Sequence, residues 1–69
     1  MNITTNGEAV SIDPLTVQQY LVSIGIDPRR VAVELNLDIL PKAQYESTLI
    51  KEGDSLEIVH FVGGGSSRS

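Results

Sequence analysis

The segment "DPLTVQQYLVSIGIDP" constrains the architecture most, because it is the one stretch with a full set of helix signals, and it is short. Thr16 is placed to cap the N-terminus, and Gln19 three residues later completes a capping box. Val17, Leu21 and Ile24 fall at i, i+4 and i+7 with Tyr20 beside them, which gives one apolar stripe. Gly25 supplies the left-handed position after the last turn, Ile26 can fold back in a Schellman contact, and Pro28 prevents continuation. The other patterned segments have period two. One helix with one stripe covers one face of one sheet, so the chain is read as α+β, two layers around a single core.

The strands follow from alternation. In "MNITTNGEAVSI", Asn6-Gly7 suits a type I′ turn between two short strands. Met1, Ile3 and Thr5 share one face, and Val10 and Ile12 alternate with Ala9 and Ser11. With a hairpin read from residue 1, no targeting peptide is expected. In "VAVELN", Val31, Val33 and Leu35 oppose Ala32 and Glu34. Asn36-Leu37-Asp38 reads as a turn and "ILPK" as a short return strand, which Pro41 confines to an edge. "AQYEST" is a loop or a single helical turn. After the turn at Gly53-Asp54, "SLEIVHFV" sets Leu56, Ile58, His60 and Val62 against Glu57, Val59 and Phe61. The expected order is strand, strand, helix, strand, short strand, strand, forming a small mixed sheet.

Chemistry inside this domain is sparse. There is no cysteine to bind metal, attack a substrate or form a disulfide. His60, the single histidine, has no second ligand or nucleophile near it in sequence and is read as a rim or partly buried packing residue. No spacing suits a metal, and no catalytic constellation is present, so the expectation is not an enzyme. The net charge of −4 and the scatter of Arg29, Arg30, Lys42, Lys51 and Arg68 argue against nucleic acid as a partner. No apolar run approaches membrane-spanning length, and the expected location is cytoplasmic.

The ending "EIVHFVGGGSSRS" is different. An apolar strand runs straight into three glycines. The reading is a folded domain over residues 1–62 and a flexible tail over 63–69. Glycine has no Cβ and passes where other residues clash, and Gly63 to Gly65 reach roughly 10 Å when extended at about 3.4 Å per residue. "VGGGS" is not a phosphate loop, since no lysine and no helix follow it. Taken alone, such a segment reads more readily as a flexible linker or an expression remnant than as a working end, and its position directly after the last strand shifts that balance.

Taken together, "NGE", "TVQQYLVSIGI", "VAVELN" and "ILPKAQYESTLIKEGDSLEIVHFVGGG" resemble the ThiS family, the sulfur carriers of thiamine biosynthesis with a ubiquitin-like β-grasp fold. The resemblance covers Met1 to Gly65, and the final "EIVHFVGGG" is its most specific part. It implies that Gly65 is the sulfur acceptor, with Gly63 and Gly64 as the thin stalk that threads into a partner. It also implies three partners: an E1-like adenylating enzyme that uses ATP, a sulfur relay from a cysteine desulfurase, and thiazole synthase. No cofactor bound by the chain itself is implied.

Two departures stand out. Tyr45 occupies a position where many members carry tryptophan. Ser66-Ser67-Arg68-Ser69 leave Gly65 in a peptide bond, so these residues are either removed, an added remnant, or the mark of a blocked precursor. Val59 and Phe61, with Ala32 nearby, are expected to form an apolar docking patch for the adenylating enzyme, on the face no element of the chain is left to cover. Other readings are a molybdopterin-synthase small-subunit type of carrier and a non-covalent β-grasp interaction module.

Overall fold

The computed structural model describes residues 1–61. The proposed boundary between residues 62 and 63 lies outside them, as do Val62 and Gly63, Gly64 and Gly65. The elements are β1 (Asn2–Thr5), β2 (Glu8–Ser11), α1 (Val17–Ser23), β3 (Val31–Leu35), β4 (Asp38–Leu40) and β5 (Ser55–His60). Short 3₁₀ turns lie at Pro28–Arg30 and Lys42–Gln44. The five strands form one sheet in the order β2-β1-β5-β3-β4. β1 and β5 are parallel and the other pairs antiparallel, which makes the sheet mixed, as expected.

Asn6 and Gly7 both have positive φ, 49° and 83°, as the type I′ turn requires. Asn36 and Leu37 make the same excursion, at 53° and 74°, without a glycine. The Asn36 amide accounts for part of this. It donates to Asp54 at 2.9 Å and accepts the Ser55 N–H at 2.9 Å, and Asp54 in turn accepts the Lys51 N–H at 2.8 Å. Pro41 falls just beyond β4, which is an edge strand, so no ladder hydrogen bond is lost there.

The start of α1 leaves no backbone donor unpaired. Thr16 and Gln19 form the reciprocal capping box. The Val17 N–H donates to Thr48 C=O, and that of Gln18 to Tyr45 C=O. The segment 45–50 therefore clamps the helix from outside. At the other end, Gly25 N–H donates to Val22 C=O and Ile26 N–H to Leu21 C=O, which is the Schellman pattern, with Gly25 at φ 81°.

The core comprises Ile3, Val17, Tyr20, Leu21, Val31, Val33, Tyr45, Ile50, Leu56 and Ile58. Two expectations require correction. Ile24 is the C-cap residue and 46% exposed, because the helix ends at Ser23 and Ile26 packs against the core instead. The last strand ends at His60 and not Val62, and His60 is exposed, not a rim packing residue. The segment "AQYEST", expected as a loop or a single helical turn, is a loop opened by a 3₁₀ turn, and it contributes Tyr45, one of the largest fully buried side chains. The Tyr45 hydroxyl points toward Val31 C=O at 3.4 Å, and burial raises its pKa above the ordinary tyrosine value.

Candidate functional site

Alternation along β5 divides its side chains between two environments. Leu56 and Ile58 enter the core beneath α1, while Glu57, Val59 and Phe61 point to the uncovered face. The antiparallel register sets Ala32 opposite Val59 and Glu34 opposite Glu57, and β4 adds Ile39 beside Glu34. Val59 and Phe61 are each 57% exposed, and Ala32 is half-buried between strands. The three residues expected to form the apolar patch thus lie on one face, with Ile39 as an exposed apolar neighbour along it.

The end of this face is built by residues the sequence reading left apart. The Phe61 N–H donates to Arg30 C=O at 3.0 Å, extending the β3–β5 ladder one step beyond the strands. Lys42 Nζ lies 4.7 Å from the centre of the Phe61 ring and donates to Arg29 C=O at 2.7 Å. Asp27 caps the 3₁₀ turn and pairs with Arg29 at 3.0 Å and Arg30 at 3.6 Å. Hydrogen bonds from the Arg29 guanidinium, then from its backbone N–H, hold the Asp27 carboxyl at a pKa of about 2. The cations scattered in sequence are therefore not scattered in space: Arg29, Arg30 and Lys42 converge where the chain leaves the sheet. No local signal marks Lys42 for this role, because its place over Phe61 depends on β3, β4 and β5 pairing first.

Asn6 was legible as a turn residue but not as a strand surrogate. Its side-chain Oδ1 accepts the Ile58 N–H at 2.7 Å, and Nδ2 donates to Ile58 C=O at 3.3 Å. The amide continues the β1 edge past Thr5 and supports β5 shortly before the tail. Among the described residues, no group of three His, Cys, Asp or Glu side chains is placed to hold a metal ion. No described helix is long and apolar enough to cross a membrane.

A mixed sheet with the last strand in its centre, one helix across a single face and a glycine run after that strand defines a ubiquitin-like β-grasp protein. The ThiS family model matches residues 2–65, and the chain belongs to that family. It is 42% identical over 53 residues to the sulfur carrier protein ThiS of Bacillus subtilis, a match that spans 77% of this chain and 80% of that protein. The crystal structure of ThiS from Geobacter metallireducens superposes with a TM-score of 0.80 at 35% identity, covering 94% of this chain and all of that one. A thiazole synthase of Paramagnetospirillum magneticum is 44% identical over the whole of this chain, which spans only 22% of that protein's length.

Proposed function

We propose that this chain is a sulfur carrier whose working group is the carboxylate of Gly65. The observation that carries the reading is the extent of the family match, which runs from residue 2 and stops at residue 65. A carboxylate is a poor electrophile. An E1-like adenylating enzyme lets a Gly65 carboxylate oxygen attack the α-phosphorus of ATP, releasing pyrophosphate. A persulfide sulfur delivered by a cysteine desulfurase relay then attacks the acyl carbon and displaces AMP to give an acyl disulfide, and a partner thiol attacks the relay sulfur of that bond, taking it into a disulfide and releasing the thiocarboxylate. The chain contains no cysteine, so a covalently carried sulfur resides at the C-terminus. Thiazole synthase consumes the thiocarboxylate, and the similarity to a protein of that name favours the thiazole route. The chain acts as a carried substrate of its partners, and ATP belongs to the adenylating enzyme.

Val59, Phe61 and Ala32 form the contact for that enzyme, with Gly63 and Gly64 threading toward the nucleotide. The supporting facts are the exposure of Val59 and Phe61 and their place on β5 just ahead of the glycines. Residues 66–69 must be absent for the chemistry, because a peptide bond at Gly65 offers no carboxylate. The test compares chains ending at Gly65 and at Ser69. Each is incubated with ATP, the adenylating enzyme and a sulfur source, and then weighed intact. Only the form ending at Gly65 gains the mass of an oxygen-to-sulfur replacement. A gain by the longer form with its last four residues retained would remove Gly65 as acceptor.

A further inference from the structure

The uncovered face is ordered by charge as well as by polarity. At the tail end stand Arg29, Arg30 and Lys42, three of the four lysine and arginine side chains among the described residues, in a chain of net charge −4. Asp27 is the carboxylate paired with this group, so the end remains positive. Next along the face lie Val59, Ala32 and Phe61. Beyond them, Glu34 and Glu57 sit directly opposite each other, and neither forms an ion pair among the described residues.

We propose that this face docks a partner protein of complementary charge order. The partner sets carboxylates against Arg29, Arg30 and Lys42, apolar side chains on Val59 and Phe61, and a basic residue over Glu34 and Glu57. The inference rests on the reading that the adenylating enzyme docks on this face, and it specifies the chemistry of that enzyme's surface.

Two features support the proposal. Like charges directly opposite on neighbouring strands destabilise a sheet, so the Glu34–Glu57 pair is a cost in the free protein that a partner's cation relieves. Lys42 is already held by the Phe61 ring and the Arg29 carbonyl, so little side-chain freedom remains to be lost on binding. A nucleotide is the poorer fit. The Arg29 and Arg30 side chains are 88% and 79% exposed around an apolar ring, and a phosphate gains most from enclosed, convergent donors. Opposite charges at the two ends of an apolar strip fix the orientation of docking, and here that orientation aims the tail at the partner's site.

The experiment measures association of the full chain with the purified E1-like adenylating enzyme at low and high salt. The variants are Arg30→Glu, Arg30→Gln, Glu57→Lys and Phe61→Ala, each checked for folding by circular dichroism. Arg30→Glu and Glu57→Lys should each slow association by about tenfold at low salt and flatten its salt dependence, with Arg30→Gln intermediate. Wild-type rates and salt slopes in the charge variants, with binding lost in Phe61→Ala, would overturn the charge order and leave the docking reading standing. Undiminished binding by Phe61→Ala as well would remove the docking reading and this proposal together. If Arg30→Glu altered only the dependence on ATP, the cations would be reading nucleotide and the proposal would fall.

Discussion

The Asn6 side chain pairs with the backbone of Ile58 as a neighbouring strand would, accepting its N–H at 2.7 Å and donating to its C=O at 3.3 Å. Asn6 does this from φ 49°, a conformation asparagine tolerates better than most residues. Asn6→Gly keeps the turn and removes the amide, so it isolates the contribution of the two hydrogen bonds. It should cost about 1–3 kcal/mol in urea unfolding. Hydrogen exchange at the Ile58 amide should accelerate well beyond the global change. An Ile58 amide as protected as in the wild type would show that the surrogate pairing is immaterial.

Leu37 holds φ 74° while 85% exposed, so its backbone strain has no packing return within the described chain. Leu37→Gly relieves a left-handed penalty of about 1–2 kcal/mol and adds a chain-entropy cost of about 0.5–1 kcal/mol. The net expectation is a gain of roughly 0.5–1 kcal/mol, read as a higher urea midpoint with an unchanged slope. A lower midpoint would mean that the exposed side chain makes contacts worth more than its strain.

Leu21 and Ile24 share the helical stripe in sequence, yet Leu21 is fully buried and Ile24 is 46% exposed. Leu21→Ala should cost about 2–5 kcal/mol, and Ile24→Ala less than about 1 kcal/mol. Similar losses at the two positions would place Ile24 back in the core.

That pair also shows where sequence reading succeeds and where it stops. Alternation placed Val31, Val33, Leu56 and Ile58 on the buried face, and Val59 and Phe61 on the open one, because a strand's period is rigid. The capping box and the Gly25 terminus were legible for the same reason: each is a local hydrogen-bond pattern with fixed spacing. Ile24 failed because periodicity describes a helix without saying where its last turn yields to the cap. Tyr45 and Ile50 lie in irregular chain, where no period exists to reveal burial. The charged end near Phe61 was illegible because Arg29, Arg30 and Lys42 meet only through the pairing of strands.

The Asp27 carboxyl has a pKa of about 2 against an ordinary 3.8, because Arg29 donates to it from both side chain and backbone. A folded value below the unfolded one means that this pairing stabilises above pH ~4 and is lost as pH falls toward ~2. The Asp27 carboxyl carbon, followed by NMR, should titrate near the lower value. In Arg29→Ala the midpoint should rise only part of the way to the ordinary one, because the backbone N–H of residue 29 still donates to the carboxyl and Arg30 remains beside it. An unmoved midpoint would assign the shift to something other than the Arg29 side chain.

Gly64 lies four residues beyond the end of β5, outside the described residues. The sheet ends at His60 and the ladder at Phe61, so a side chain at position 64 has no part in the packing described. Gly64→Val should therefore leave the thermal midpoint unchanged. On the proposed function its effect belongs to the passage toward the nucleotide, where a Cβ and two methyl groups would need space that a glycine stalk does not. In the chain ending at Gly65, Gly64→Val should abolish pyrophosphate release with the adenylating enzyme, while binding to that enzyme through Val59 and Phe61 is largely retained. Loss of binding in parallel with turnover would place Gly64 in the docking contact. Pyrophosphate release at the wild-type rate would show that the stalk passes through no constriction.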